Sequence, residues 1–244
     1  MADEAGHAHL PTFALDGLRF VSDVGGRLKG ADLPAGTYAL RASERTIEYY
    51  RTLVRRQPSD ILQLGMAEGG SLILWDRLFA PERLVGIDPR PHPIAAVEAY
   101  RVDRPHISVY HARGLDKPGT QMAARESFPT GIDLVIDDGS HRYAPTRQTF
   151  ETLFPMLREG GTYVIEQWAW AHKPAAQRAA NPAFDQPALT NLLFELAMLA
   201  ATDPVIDSIH VEEGLVAIRK GGGGLPAGGI TAGLALRGRE LSPI

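Results

Sequence analysis

Two clusters of polar residues stand out because each directly follows an apolar run that is typical of a buried strand. Asp137 and Asp138 end the run IDLVIDD, and His141 follows three residues after the second carboxylate. Glu166 and Gln167 end a second run, TYVIEQ. Carboxylates and an imidazole can bind ligands and exchange protons, and open α/β sheets bind ligands where parallel strands end. The clusters therefore predict one shared site, with a turn-capping Asp138 and a surface-loop His141 as the alternatives.

A strand, turn, helix and strand pattern over residues 61–89 indicates how a ligand is held. The apolar run ILQL ends at Gly65, and the turn that follows contains Gly69 and Gly70. Ser71 is then a good N-cap for a helix with one apolar face. Glycines at such a turn let the backbone approach a ligand at the helix N-terminus.

The residues around this turn discriminate between ligands. The glycine spacing differs from the G-x-G-x-x-G of dinucleotide sites, and the absence of a following lysine–serine pair excludes a P-loop. The second strand ends at Asp88, whose carboxylate can accept hydrogen bonds from ribose hydroxyls. A nucleoside without a pyrophosphate, commonly S-adenosylmethionine, suits this pattern, and a purely structural turn is the alternative.

Composition narrows the classes of protein to consider. The chain has 244 residues, which are enough for one sizeable α/β domain, and 29 acidic against 25 basic residues without a basic block argue against a nucleic-acid partner. The lack of cysteine excludes disulfides and thiolate metal sites. No apolar run reaches the ~18 residues of a membrane span and no signal-peptide pattern begins the chain, so we expect a cytoplasmic protein that does not bind membranes.

Patterning divides the chain into three parts. Residues 1–42 are rich in Gly, Asp and Pro and weakly periodic, which predicts an N-terminal arm or lid. Residues 43–220 alternate helix and strand patterns and end in an apolar helix and an antiparallel hairpin, which predicts one α/β domain. Inside it, residues 168–187 form a Pro- and Ala-rich insertion that is expected to cap the active-site mouth. Residues 221–244 predict a flexible glycine-rich tail.

Aromatic residues in two segments are candidates for ligand contact. The helix that begins after Ser43 is expected to pack beside the sheet, with Tyr49 or Tyr50 reaching the ligand as the alternative. Trp168 and Trp170 in the insertion are expected to line an acceptor pocket, together with Phe184. A dimer contact or core packing is the alternative for these three.

The longer motifs resemble a known family. The run ILQLGMAEGGSLILWDRLF with VGIDP resembles the first motif of class I S-adenosylmethionine-dependent methyltransferases. The runs IDDGSH, FETLFPMLREGGTYVIE and PALTNLLFELAML resemble the branch of antibiotic-sugar O-methyltransferases from macrolide tailoring pathways, with its cephalosporin hydroxylase and rhamnosyl O-methyltransferase relatives. The resemblance covers about residues 45–220. It implies an α/β fold with a Rossmann-like seven-stranded sheet of order 3-2-1-4-5-7-6, the last strand antiparallel and helices on both faces.

The resemblance also implies roles for individual residues. It places S-adenosylmethionine against seven of them: Gln63, Gly65, Gly69, Gly70, Ser71, Asp88 and Asp137. It makes His141 the general base that accepts the proton of an acceptor hydroxyl. It makes Asp138, Glu166 and Gln167 magnesium-ligand positions. The expected acceptor is a hydroxyl on a small natural product or a sugar-bearing molecule, and a homo-oligomer is expected because such relatives are commonly oligomeric.

Three departures from the branch bear on the cofactor and the metal. Gln63 replaces an acid, and an amide cannot form an ion pair with the ammonium group of the cofactor. Gln167 replaces a carboxylate, so Mg²⁺ is expected to bind weakly or not at all. Arg113 lies where the branch has an acid near the adenine.

These departures keep two alternatives open beside an O-methyltransferase. One is a methyltransferase-fold enzyme repurposed for a non-methylating reaction, such as a cyclisation or rearrangement in a biosynthetic pathway. The other is a non-catalytic binding or partner subunit. The retained carboxylates and His141 favour an enzyme.

Overall fold

Three short strands precede the α/β domain, where the sequence shows only weak periodicity. The computed structural model describes residues 10–28, 33–111, 117–181, 183–234, 236–239, 241 and 243–244. Strands β1 (Thr12–Leu15) and β2 (Leu18–Ser22) form an antiparallel hairpin, and β3 (Thr37–Leu40) pairs in parallel with β2. The hairpin turns at Asp16 and Gly17, which both have positive φ, as a two-residue hairpin turn requires. The role of this segment as an arm or lid stays a prediction.

The α/β domain follows with regularly alternating elements. Its helices and strands in chain order are α1 (Glu44–Leu53), β4 (Asp60–Leu64), α2 (Gly70–Phe79), β5 (Arg83–Asp88), α3 (Ala95–Arg101), β6 (Ile107–His111), α4 (Lys117–Ser127), β7 (Ile132–Asp137), α5 (Tyr143–Leu153), β8 (Leu157–Glu166), α6 (Thr190–Ala200), β9 (Ile206–Val211) and β10 (Leu215–Lys220). Ser43 caps α1 through its side chain. The N-cap of α2 is Gly69 in a left-handed conformation, so the prediction that Ser71 is the N-cap is wrong.

Seven strands form one mixed sheet, in the order β6-β5-β4-β7-β8-β10-β9. Counted from β4 as the first strand, this is the order 3-2-1-4-5-7-6, and β10 runs antiparallel to both of its neighbours. The fold expected from the sequence is therefore confirmed. Among the described residues, no helix is long and apolar enough to cross a membrane.

Alternation along the strands explains why helices cover both faces of the sheet. In β4, Leu62 and Leu64 pack into a cluster with residues of α4, α5 and α6, whereas Ile61 packs into a second cluster with residues of α1, α2 and α3. Successive side chains of a strand point to opposite faces, so a strand that is buried along its whole length, as β4 is, must be covered on both faces. Phe20 and Leu40 of the N-terminal strands join the second cluster and are almost fully buried.

The strand register brings the predicted polar clusters to one edge of the sheet. Leu64 pairs with Asp137, and Asp137 pairs with Ile165, so Gly65, Asp138 and Glu166 all come at the carboxyl ends of adjacent strands.

The described part of the C-terminal tail contacts the domain. Ile230 is fully buried in a 3-10 helix, and its backbone N–H donates to the Glu151 carboxylate. The flexibility of the tail as a whole stays a prediction.

Candidate active site

The candidate site is a narrow cavity at the carboxyl edge of the sheet. Its wall is formed by the end of β3, the glycine turn before α2 and the ends of β7 and β8. The polar and turn residues that line it include Arg41, Met66, Ala67, Ser71, Asp138 and Glu166. The structure thus brings the glycine turn and both polar clusters together, as the sequence predicts, while the role of each residue stays a prediction.

Glycine is required at two positions of the turn because other backbone lies in van der Waals contact. Gly65 has φ +73°, and a Cβ built on it would lie 2.2 Å from the carbonyl oxygen of Asp138. A Cβ on Gly70 would lie 2.2 Å from the carbonyl oxygen of Ala39 in β3. These close approaches fix the start of α2 between β7 and the N-terminal strands.

Gln63 is buried beneath the turn, with one of its amide atoms left unpartnered. Its Nε2 donates to the carbonyl oxygen of Gly65 at 2.8 Å and to the Ser71 hydroxyl at 2.7 Å. Its Oε1 is buried without a hydrogen-bond partner in the described structure. A buried acceptor without a partner is costly, so this atom fits a ligand that brings a donor such as an ammonium group. Contact of Gln63 with the cofactor stays a prediction.

Asp88 ends β5 and is already bound by several donors of the chain. Its carboxylate accepts hydrogen bonds from the backbone N–H of Met66 and from the backbone and guanidinium of Arg90. Burial acts to raise the pKa of Asp88, but these hydrogen bonds outweigh it and hold the pKa below its usual value. Arg90 also donates to the carbonyl oxygen of Ala67, which ties the glycine turn to the end of β5.

Asp137 lies beneath the cavity and is held by two donors. Its carboxylate accepts a hydrogen bond from the Tyr163 hydroxyl at 2.8 Å and another from the backbone N–H of Gly139 at 3.2 Å. Burial raises the pKa of Asp137 to about 6 in spite of these hydrogen bonds. Asp137 therefore carries only part of its charge near pH 6, and its contact with the cofactor stays a prediction.

Asp138 and Glu166 face one cavity and disfavour each other's charge. Burial, followed by the charge of Glu166, raises the pKa of Asp138 well above its usual value. Burial raises the pKa of Glu166 to about 7, against the effect of the hydrogen bond from the Tyr50 hydroxyl at 2.6 Å. Tyr50 is fully buried beside the sheet, where its helix was expected to pack, and it binds Glu166, which is 116 residues away in the sequence. Contact of Tyr49 or Tyr50 with a ligand stays a prediction.

The three predicted metal positions are engaged by hydrogen bonds within the chain. The Gln167 amide directs Nε2 to Asp138 Oδ1 at 2.9 Å, and Tyr50 donates to Glu166. An amide nitrogen is a donor and cannot ligate a cation. Within the described ranges, no group of three or more His, Asp and Glu side chains is arranged to hold a metal ion. This donor set does not fit Mg²⁺ as arranged.

His141 lies beside the carboxylates in a strained backbone conformation. Its φ is +55°, and its Nε2 is 3.6 Å from Asp138 Oδ1. Burial lowers the pKa of His141 below its usual 6.5, which keeps the imidazole neutral at neutral pH. The Trp170 indole N–H donates to the carbonyl oxygen of His141 at 2.6 Å, so the 168–187 segment holds the loop that carries this histidine.

Several residues of the site are not signalled by the sequence. Arg41 follows β3 and lines the cavity, although it is adjacent to no motif. Tyr163 and Arg90 hold the predicted carboxylates Asp137 and Asp88. Arg113, which was expected to depart from the acid of the resembling branch, lies outside the described residues.

Comparison with known proteins shows which class of protein part of this chain resembles. Residues 62–168 match the family Methyltransf_24, described as a methyltransferase domain. The 8-demethyl-8-(2-methoxy-alpha-L-rhamnosyl)-tetracenomycin-C 3'-O-methyltransferase of Streptomyces olivaceus is 31% identical over 173 residues, covering 68% of this chain and 40% of that protein. Mycinamicin VI 2''-O-methyltransferase of Micromonospora griseorubida is 33% identical over 135 residues, covering 52% of this chain and 32% of that protein.

A solved structure agrees with these sequence relatives. The MycE methyltransferase from the mycinamycin biosynthetic pathway, in complex with Mg and SAH, superposes with a TM-score of 0.55 and 29% identity, covering 74% of this chain and 51% of that chain. Over residues 62–168 the chain is thus similar to a methyltransferase domain, and it spans less than half the length of the two sequence relatives named above.

Proposed function

We propose that this protein is an S-adenosylmethionine-dependent O-methyltransferase that acts on a sugar hydroxyl of a glycosylated small natural product. The observation that carries the proposal is that Asp88 ends β5 and His141 follows β7 at the same carboxyl edge of the sheet as the glycine turn that follows β4. The acceptor class is supported by relatives named for rhamnosyl-tetracenomycin and mycinamicin VI. Neither a repurposed enzyme nor a partner subunit finds support among these relatives.

The residues of the chain suit the steps of such a transfer. S-adenosylmethionine supplies an electrophilic methyl group on a sulfonium. His141 would accept the proton of the acceptor hydroxyl, and the oxygen would then bond to the methyl carbon that bound S-adenosylmethionine supplies, with the carbon–sulfur electron pair left on sulfur. Alignment of the acceptor oxygen with the methyl group is the main demand of such a displacement.

Asp138 and Gln63 support these steps from two sides. Asp138 Oδ1, 3.6 Å from His141 Nε2, places an oxygen acceptor beside the imidazole ring. The unpartnered Oε1 of Gln63 can accept a hydrogen bond from the ammonium group of the cofactor. Cytoplasmic localisation and a homo-oligomeric state stay predictions.

Calorimetric titration, followed by a methyl-transfer assay, tests this function. The purified protein is titrated with S-adenosylhomocysteine, and micromolar binding is expected. Methyl transfer from labelled S-adenosylmethionine is then measured with rhamnosylated and other 6-deoxysugar glycosides, and with the matched glycosides that lack one sugar hydroxyl. Transfer should disappear only when the accepting hydroxyl is missing. Absence of cofactor binding, or binding without transfer to any glycoside, would overturn the proposal.

A further inference from the structure

Arg41 is a cation at the candidate site to which no sequence motif assigns a role. It follows β3 and lines the same narrow cavity as Asp138 and Glu166. A cation that shares a narrow cavity with two carboxylates is within electrostatic reach of them.

The position of the guanidinium is set by close contact with Gly26. A Cβ built on Gly26 would lie 2.5 Å from both Cζ and Nη1 of Arg41, and Gly26 has φ +62°. A glycine is what allows the planar group to lie against the backbone here. The missing side chain of Gly26 thus leaves room for the Arg41 guanidinium between the N-terminal strands and the cavity.

The carboxylates opposite Arg41 are arranged for hydrogen-bond donors and not for a hard cation. Gln167 Nε2 donates to Asp138, and the Tyr50 hydroxyl donates to Glu166. The amide of Gln167 also lowers the negative charge of the cluster by one unit relative to a carboxylate at that position. A divalent ion in this place would lie close to the guanidinium, and like charges repel strongly where water is scarce.

We propose that Arg41 supplies the positive charge of this site, at the place where a magnesium ion is expected from the resemblance, and that it orients the oxygens of the acceptor. This inference rests on the proposed function. A guanidinium is always charged and has five donors in a planar fork, so it can bind two vicinal oxygens at once. It also stabilises the negative charge that grows on the acceptor oxygen as His141 removes the proton.

Competition between Arg41 and a divalent cation gives the test, with Mn²⁺ as the probe and electron paramagnetic resonance as the readout. The comparison is made in a Gln167→Asp background, which restores a third carboxylate. Adding Arg41→Gln to that background should tighten Mn²⁺ binding by ~10-fold or more, because it removes a unit charge beside the ion. Adding Arg45→Gln is the matched control, since Arg45 pairs with Glu212 and does not line the cavity. It should leave Mn²⁺ affinity within about twofold of the background, since a solvent-exposed charge outside the site is well screened.

Equal Mn²⁺ affinity with and without Arg41 in the Gln167→Asp background would overturn the inference. Saturable, tight Mn²⁺ binding by the unaltered protein would do the same. S-adenosylhomocysteine binding by each variant reports folding and the cofactor site independently of Mn²⁺. A failed Mn²⁺ comparison with intact cofactor binding would therefore remove the role of Arg41 and leave the proposed function standing.

Discussion

Arg90 and Asp88 form a two-point ion pair inside the predicted ribose site. Arg90 Nε lies 2.7 Å from Asp88 Oδ1, and its Nη2 lies 2.9 Å from Oδ2. The backbone N–H groups of Arg90 and Met66 add a third and a fourth hydrogen bond, both of 3.0 Å. A carboxylate has about four acceptor sites, so Asp88 is saturated by the chain itself. Ribose hydroxyls can bind this carboxylate only when the guanidinium releases it.

Arg90→Ala should therefore strengthen binding of S-adenosylhomocysteine. The guanidinium is partly exposed, so the ion pair that must be broken costs at most about 1 kcal/mol, and the expected gain in affinity is about two- to fivefold. Calorimetric titration measures it, with Arg90→Lys as the control that retains the charge. Weaker binding in the alanine variant would show instead that Arg90 holds Asp88 in place for the ribose.

Removal of the candidate base should affect turnover and spare the cofactor. His141→Ala is expected to lower kcat by ~10²–10⁴-fold, since that is the usual contribution of a positioned general base. Affinity for S-adenosylhomocysteine should change little. His210→Ala is a suitable control, because His210 lies in β9 and is exposed. Full activity in the His141 variant would exclude this residue as the base.

The pH dependence of turnover should reflect the lowered pKa of His141. A protonated imidazole cannot accept a proton, so the rate should rise with pH through the pKa of the base and then level off. Because burial lowers this pKa, the midpoint should lie below 6.5. The profile of kcat/KM against pH measures it, and a midpoint well above 7 would contradict the assignment.

Trp170 is predicted to position the histidine loop through a single hydrogen bond. Trp170→Phe keeps an aromatic ring and removes the indole donor to the carbonyl oxygen of His141. Loss of one such bond is worth about 1 kcal/mol, so kcat should fall by about two- to tenfold at unchanged cofactor affinity. Trp168→Phe is the matched control, because its indole donates to Glu212 instead. Equal effects of both substitutions would show that the loop does not depend on Trp170.

Asp137→Asn should gain stability relative to the unaltered protein as the pH rises. The folded-state pKa of Asp137 is raised to about 6 by burial, above its unfolded value of 3.8. Between these values only the unfolded state loses the proton, so the stability of the unaltered protein falls as pH rises through this window. The amide has one oxygen for the two donors Tyr163 and Gly139, which adds a pH-independent loss. The difference should thus shift in favour of the variant from about pH 4 to about pH 6, by on the order of 2–3 kcal/mol. Urea unfolding at several pH values measures it, and a pH-independent difference would contradict the raised pKa.

Gly65→Ala should destabilise the protein because the turn leaves no room for a side chain. The added Cβ would meet the Asp138 carbonyl oxygen at 2.2 Å, and the residue would also have to adopt φ +73°. We expect a loss of about 2 kcal/mol or more in the free energy of unfolding. Gly222→Ala provides the control, since a Cβ there meets nothing within 4 Å. A stability loss no larger than that of the control would mean that β7 can move away from the turn.

Local sequence patterns were sufficient to predict the sheet and the position of the candidate site. Apolar runs bounded by glycine and proline located β4 to β10, and the polar residues that end β7 and β8 marked the edge where the cavity lies. These features can be predicted because each depends on neighbouring residues. The three N-terminal strands have four or five residues and are partly exposed, so the alternation of apolar and polar residues along them is too short to predict strands. The Asp16-Gly17 pair is nevertheless a hairpin signal.

The groups that surround the candidate site residues were decided only by the tertiary structure. Tyr50 binds Glu166 across 116 residues, and Arg41 lines the same cavity as Asp138 because β3 lies against the start of α2. The sequence by itself identified the carboxylates and the histidine that are candidates for the site. Their protonation depends on burial and on charges brought together by the sheet, and these are properties of the packed chain and not of any local stretch.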